Sequence, residues 1–136
     1  MGRRQAGAID VLVESLRSGS LESQLSSISI LGNLLTDVFD PEARLSLRMF
    51  VEAGGLVELQ TKLAAEFPIN LFAAAALQNA TSIDPRETCT ALRDAGCEAI
   101  LTAMMSTDDE QMKQYVTGVI ANLRAFDPNR TNDVRA

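Results

Sequence analysis

Three asparagines recur along the chain at nearly one interval, each set among apolar residues. They are Asn33, Asn79 and Asn122, separated by 46 and 43 positions. A carboxamide carries both a hydrogen-bond donor and an acceptor, so it can pair with a backbone peptide unit whatever the side chains of that peptide are. The same group can instead cap its own helix or brace the next loop. The spacing alone leaves both interpretations open.

The residues that carry most enzymatic and metal chemistry are scarce. The 136 residues include no histidine, the commonest general base near neutral pH and the commonest zinc ligand. Cys89 and Cys97 stand eight positions apart without the spacing of a metal site, which favours two buried thiols in a reducing compartment over a disulfide or a reactive thiol. We therefore predict a protein that is not an enzyme and has no cofactor or metal.

The charge balance and the hydropathy pattern limit the partners. Eighteen Asp and Glu against 12 Lys and Arg give a net charge of -6, a field that repels phosphate backbones and anionic lipid heads alike. No apolar run approaches the ~20 residues of a membrane span, and the first residues lack the apolar core of a signal peptide. We expect no nucleic acid, no membrane span, and an intracellular, cytoplasmic location, with the nucleus also open.

Two dipeptides recur with the period of the asparagines. The prolines of three Asp-Pro pairs are Pro41, Pro85 and Pro128, and the glycines of three Ala-Gly pairs are Gly7, Gly54 and Gly96. Asp before Pro caps the first turn of a helix, and glycine ends a helix by adopting the left-handed conformation. Asp-Pro, Ala-Gly and Asn follow one another in constant order, which indicates one repeated unit.

The repeated unit is predicted to contain three helices, and the first of these helices runs from Asp-Pro to the glycine. The second carries apolar residues two, five and nine places after the glycine, the spacing of a one-faced helix. These residues are Ile9, Leu12 and Leu16, then Leu56, Leu59 and Leu63, then Leu101 and Met105, with Glu98 at the first place of the last copy. The third helix is opened by Ser20, by Pro68, and by Thr107 with Glu110 as a capping box.

The third helices also carry an apolar stripe around each asparagine. Its members are Leu31, Leu77 and Ile120, Ile30, Ala76 and Val119, and Leu34, Ala80 and Leu123. A unit of this size cannot bury such faces alone, so neighbouring copies must stack into a right-handed superhelix.

This pattern resembles the armadillo repeat over essentially the whole chain: a short helix ending at Ala-Gly, an Ile/Leu-x-x-Leu second helix and a long third helix ending near Asn-Leu. HEAT repeats, the nearest alternative, resemble two-helix hairpins and would not require the Asp-Pro helix and the glycine break. We predict an all-α, right-handed α-solenoid of about three armadillo repeats, incomplete at both ends, in one domain over 1–136. The units cover roughly 6–39, 40–83 and 84–126, with the start of a further helix over 127–136.

The resemblance implies a concave groove lined by the third helices, in which Asn33, Asn79 and Asn122 pair with the backbone of an extended peptide. Small residues stand four places before each asparagine, where nuclear-import adaptors of this family carry tryptophan, so classical nuclear-localisation signals are not expected. They are Ser29, Ala75 and Gly118. Seven places before stand Ser26, Phe72 and Tyr115, whose two rings either grip apolar ligand side chains or pack in the core.

The predicted function is a scaffold or adaptor that binds an extended peptide segment of a partner protein in this groove. The groove-facing positions carry no Lys or Arg, which favours a neutral or basic peptide over an acidic one. The alternative is a structural solenoid segment, a fragment of a longer array, that mediates self-association or domain packing with an unused groove. Exposed apolar ends then predict weak end-to-end self-association.

Overall fold

The computed structural model describes residues 2–34 and 41–126, with the side chains of 2–6 and of residue 34 excluded. Asp40, Pro128 and the further helix predicted over 127–136 lie outside these ranges. The described helices are α1 (Gly2–Ser18), α2 (Leu21–Leu34), α3 (Pro41–Glu52), α4 (Gly55–Thr61), α5 (Ile69–Ile83), α6 (Pro85–Asp94), α7 (Cys97–Met104) and α8 (Glu110–Ala125). A 3-10 turn over Lys62–Ala64 extends α4. Helices α3 to α5 and α6 to α8 are two successive three-helix units, and α1 and α2 supply the second and third helices of the unit before them.

Two glycines turn the chain between the first and second helix of a unit. Gly54, with φ of 87°, separates α3 from α4, and Gly96, with φ of 76°, separates α6 from α7. Side chains destabilise this left-handed conformation, whereas glycine adopts it freely. The prediction drawn from these two Ala-Gly pairs is confirmed.

The first Ala-Gly pair does not mark a helix boundary. Gly7 lies inside α1, which begins at Gly2 and continues to Ser18, so the prediction that a new helix begins after Gly7 is wrong. A positive φ is required only where the chain turns sharply, and at this position the helix simply continues. A Cβ at Gly7 would meet nothing within 4 Å, so no close approach requires glycine there either.

Capping side chains start α2 and α6 as predicted. The Ser20 hydroxyl accepts a hydrogen bond from the Ser23 N–H at 3.2 Å, directly before α2. The Asp84 carboxylate accepts from the Glu87 N–H at 3.4 Å, with Pro85 as the first residue of α6. Each oxygen satisfies an N–H group that the helix itself leaves unpaired.

The predicted start of α8 is wrong by two residues. The cap is Asp109, whose carboxylate accepts from the Met112 N–H at 3.0 Å, and α8 begins at Glu110. The Thr107 hydroxyl accepts instead from the Asp109 N–H at 3.1 Å and so shapes the turn before the helix. Two cap-forming residue types stand close together here, and the sequence pattern selects the wrong one.

The helices pack around one continuous core. Helix α2 lies against α5 and α5 against α8, while α1, α4 and α7 flank this row of third helices. The apolar stripes of the second helices are buried except at Met105, which is half-buried. The described members of the third-helix stripe are also buried, with one exception. Ile30 is 49% exposed, so its predicted burial is wrong.

The exposure of Ile30 follows from its position in the stack. The residues at the same register in the next two third helices, Ala76 on α5 and Val119 on α8, are buried. They lie on helices that pack against a preceding third helix, whereas in the described residues α2 has only α5 as a third-helix neighbour.

Helix α6 holds the C-terminal turn of α8 through two side chains one helical turn apart. Arg93 donates to the backbone oxygens of Leu123 and, at 2.7 Å, of Phe126. The Cys89 sulfur lies 3.6 Å from the backbone oxygen of Asn122. These groups satisfy carbonyls that the end of a helix leaves without partners.

Two glycine-to-alanine substitutions test the packing around a closely contacted glycine and around a glycine that faces open space. A Cβ at Gly55 would lie 2.3 to 2.5 Å from ring atoms of the buried Phe50, so Gly55→Ala is expected to lower the free energy of unfolding by about 1–3 kcal/mol. A Cβ at Gly32 would meet nothing within 4 Å, so Gly32→Ala is expected to raise it by up to about 1 kcal/mol. Urea unfolding followed by circular dichroism measures both. Equal effects of the two changes would contradict the packing described at Gly55.

A second pair of substitutions tests the start of α8. Asp109→Ala is expected to lower the free energy of unfolding by about 1 kcal/mol because it removes the cap of a 16-residue helix. Thr107→Ala removes a hydrogen bond outside that helix and is expected to have the smaller effect. The midpoints of chemical unfolding compare the two variants, and a larger loss for Thr107→Ala would show that the helix begins earlier.

Candidate functional site

The predicted groove residues all lie on α2, α5 and α8, the three third helices. Helix α2 contributes Ser26, Ser29 and Asn33, helix α5 contributes Phe72, Ala75 and Asn79, and helix α8 contributes Tyr115, Gly118 and Asn122. Because α5 packs between α2 and α8, the helices form two seams, α2–α5 and α5–α8. The two seams differ in what fills them.

The α2–α5 seam contains an open cleft of about 280 Å³. Its lining residues are Ile28, Ser29, Gly32, Asn33, Phe72, Ala75, Ala76 and Asn79. Five of the nine predicted groove residues therefore come together in one cleft, and none of its lining residues in the described part of the chain is charged. The ring of Phe72 is 42% exposed, and the Asn79 amide makes no hydrogen bond to any residue that the structure describes. This cleft thus offers an apolar surface beside an available donor and acceptor.

The α5–α8 seam uses its asparagine for internal bracing. The Asn122 amide nitrogen donates to the Thr81 hydroxyl at 2.8 Å and lies 3.3 Å from the Ser82 hydroxyl. Thr81 is buried, so this contact ties the end of α8 to the end of α5. Of the two interpretations that the sequence leaves open, the local one describes Asn122.

The two aromatic residues of the predicted groove differ in burial. Phe72 projects into the α2–α5 cleft, whereas Tyr115 is half-buried and packs against the core. The Tyr115 hydroxyl lies 3.2 Å from the Gln111 amide nitrogen on the same helix. Ser26, at the corresponding position of α2, is exposed. Phe72 therefore offers the larger accessible aromatic surface.

Sequence reasoning missed Gln78, the residue immediately before Asn79. Its side chain lies over Gly118, so closely that a Cβ there would be 2.2 Å from the Gln78 amide nitrogen. The corresponding residue of α2 is Gly32, which lines the open cleft. Gly32 and Gln78 each stand immediately before an asparagine of the repeat, and this position could have been read from the sequence. The predicted groove residues did not include it.

The ion pairs lie around the seams rather than within the cleft. Arg124 pairs with Glu98 at 3.1 Å, and Glu58 lies 3.5 Å from Arg17 and 3.9 Å from Lys62. The Arg124–Glu98 pair is exposed, and exposed ion pairs contribute about 0–1 kcal/mol. Arg124, two residues after Asn122, is thus matched by an acidic partner.

The two cysteines are free and buried. Burial raises the pKa of the Cys97 thiol to about 11 and also raises the pKa of Cys89 above its ordinary value. A buried thiol with a raised pKa is poorly suited to nucleophilic chemistry, because the thiolate is the reactive form.

Within residues 2–34 and 41–126, no group of three His, Cys, Asp or Glu side chains is arranged to hold a metal ion. No helix in the same ranges is long and apolar enough to cross a membrane.

The reactivity of the thiols is expected to depend on folding. Below pH 9 a shift of the pKa from 9.0 to about 11 lowers the thiolate fraction of Cys97 about a hundredfold, so alkylation by iodoacetamide at pH 8 should be slow until the chain unfolds. Because the unfolded chain loses this proton first, the stability contributed below pH 9.0 is lost as the pH rises toward about 11. Mass spectrometry of labelled chains measures the rate, and rapid labelling of Cys97 in the folded protein would contradict its burial.

The comparisons with known proteins identify the fold. A designed armadillo repeat protein matches with a TM-score of 0.74 and 24% sequence identity, over 88% of this chain and 48% of that one. The crystal structure of an engineered protein matches with a TM-score of 0.54 and 21% identity, over 88% of this chain and 63% of that one. The chain thus spans about half the length of the first and less than two thirds of the second.

No family model matches the chain, and no curated protein matches it. At the identities found, the likeness to the two solved structures concerns the fold. The prediction of an all-α solenoid is confirmed, and the chain has an armadillo-like repeat fold.

Proposed function

We propose that the protein is a non-enzymatic interaction module that binds an extended segment of a partner protein in the groove along its third helices. Armadillo-like folds commonly mediate protein–protein binding, and such repeat scaffolds are typically non-enzymatic. The observation that carries the proposal is the α2–α5 cleft, where the exposed ring of Phe72 and the amide of Asn79 face the same space.

The chemistry of the cleft supports an extended peptide as the ligand. An extended backbone offers an N–H and a C=O side by side, which is what a carboxamide can pair with. The lining residues that the structure describes carry no charge, and the chain as a whole is acidic. A neutral or basic segment is therefore favoured over an acidic one.

A second candidate function is a solenoid segment that associates through its exposed apolar surface. Leu21 and Ile30 of α2 and Val11 of α1 are exposed in the described part of the chain. The outer side of α8 is different, because the exposed residues there are largely polar. They are Gln114, Thr117, Ala121 and Arg124. Association through the α1 and α2 side is therefore the form of this alternative that the described residues favour.

Replacing Asn79 by alanine tests the groove directly. We expect Asn79→Ala to weaken binding of extended peptides about five- to thirtyfold, since each hydrogen bond to a peptide unit contributes about 1–2 kcal/mol. Asn79 has no hydrogen-bond partner among the described residues, so the free energy of unfolding should change little. Fluorescence anisotropy with acetylated, amidated peptides of uncharged sequence measures the affinity.

Asn122→Ala is the matched control. It removes the contact with Thr81 and should lower the stability of the α5–α8 seam while leaving peptide affinity nearly unchanged. Peptide affinity that is insensitive to Asn79→Ala, together with a dimer detected by light scattering and lost in Ile30→Ser, would favour the second candidate function.

A further inference from the structure

One register position separates the open seam of the groove from the filled one. The residue immediately before the asparagine is Gly32 on α2 and Gln78 on α5. Across each seam, the residue four places before the next asparagine is small, Ala75 opposite Gly32 and Gly118 opposite Gln78. The backbone arrangement therefore leaves room in both seams, and the side chain before the asparagine decides whether that room is occupied.

At the first seam the room is free. Gly32 has no side chain, and a Cβ added to it would meet nothing within 4 Å. The resulting cleft of about 280 Å³ is also lined by Phe72 and Asn79. Both the ring and the amide thus border the space that Gly32 leaves.

At the second seam a side chain of the protein takes this space. The Gln78 side chain covers Gly118, with its Nε2, Cδ and Cγ atoms 2.2, 2.7 and 3.2 Å from where a Cβ would stand. Nearby, Asn122 is held by the Thr81 hydroxyl at 2.8 Å. The position beside Gly118 is therefore occupied by Gln78, and the Asn122 amide nitrogen is bonded within the protein. A separate cleft of about 390 Å³ lies at the end of this seam, beyond Gln78, and is lined by Thr81, Ser82, Pro85, Asn122, Ala125 and Phe126.

We infer that the residue before each asparagine determines where the groove accepts a ligand side chain. Gly32 opens the α2–α5 cleft to one uncharged, apolar side chain of an extended segment, which packs on Phe72 while the adjacent peptide unit pairs with Asn79. Gln78 closes the α5–α8 seam to a second such side chain. This inference rests on the proposed function and specifies its ligand and its selecting residues.

The chemistry of the lining explains why the accepted side chain is apolar. Among the residues that the structure describes, no Lys, Arg, Asp or Glu lines the cleft, so a charged ligand group would lose hydration without gaining a partner from them. An aliphatic side chain instead removes apolar surface of its own and of Phe72 from water, at about 25 cal/mol per Å². A basic side chain is therefore disfavoured inside this cleft, whereas the preference for a neutral or basic segment, which follows from the net charge of -6, concerns the rest of the segment.

The test uses acetylated, amidated nine-residue peptides of serine and threonine with one central Leu, Lys or Glu, measured by fluorescence anisotropy. The Leu peptide is expected to bind the parent protein at least about tenfold more tightly than the other two, a difference of about 1.4 kcal/mol. Gly32→Gln is expected to abolish this preference by filling the cleft, and Gly32→Ala, which adds only a methyl group, is expected to reduce it less. Circular dichroism confirms that each variant folds.

The reciprocal arm uses Gln78→Ala, which clears the second seam and keeps a good helix former in α5. Peptides that carry a second Leu two, three or four positions from the first are expected to gain about tenfold in affinity at one of these spacings in Gln78→Ala and at none in the parent. Gly32→Gln fills an open space, whereas Gln78→Ala opens a filled one. The inference therefore does not depend on the folding of one variant.

The outcomes separate the inference from the proposed function. Binding that is weakened by Asn79→Ala but is indifferent to Gly32→Gln and Gln78→Ala would overturn the inference and leave peptide binding in the groove intact. Equal affinity for the Leu, Lys and Glu peptides would overturn it as well. Failure of every peptide to bind the parent and Gln78→Ala would contradict both.

Discussion

The close approach of three third helices is the constraint on which the rest of the structure depends. Helix α5 lies between α2 and α8 and is buried on both sides. Its buried positions include four alanines. They are Ala73, Ala74, Ala76 and Ala80. Alanine combines the best helix propensity with little volume, so a helix rich in it can be packed tightly from two directions. A bulkier residue at these positions would push the neighbouring helices apart and change the seams between them.

Tight packing of the helices also gives single side chains control over the groove. Because the helices are packed closely, a single residue decides whether a cleft is present. Gly32 leaves a cleft open in the α2–α5 seam, whereas the Gln78 side chain fills the corresponding space in the α5–α8 seam. Both seams are formed by third helices that carry their asparagines at corresponding positions. Specificity in such a fold therefore depends on a few register positions rather than on the shape of the solenoid.

The features that the sequence predicted well are those that act within one helix or one turn. Gly54 and Gly96 end helices because of their own backbone conformation, and Asp84 starts one through an oxygen three residues from its donor. Prediction failed where the outcome depends on neighbours. Ile30 belongs to an apolar stripe yet is exposed, since burial of that register requires a preceding third helix. Gly7 matches the repeat pattern, but the chain does not turn at Gly7, because α1 continues through it.

The candidate site divides along the same line. The period of the asparagines placed Asn33 and Asn79 at one cleft, because equal register on stacked helices brings residues to the same seam. The bracing of Asn122 was not predictable from that period, since it depends on a hydroxyl two residues after the preceding asparagine. Thr81 supplies that hydroxyl for Asn122, whereas Asn79 makes no hydrogen bond to a residue that the structure describes. Whether Asn79 or Asn122 is available to a ligand therefore depends on the neighbouring side chains, and the asparagine alone cannot indicate which.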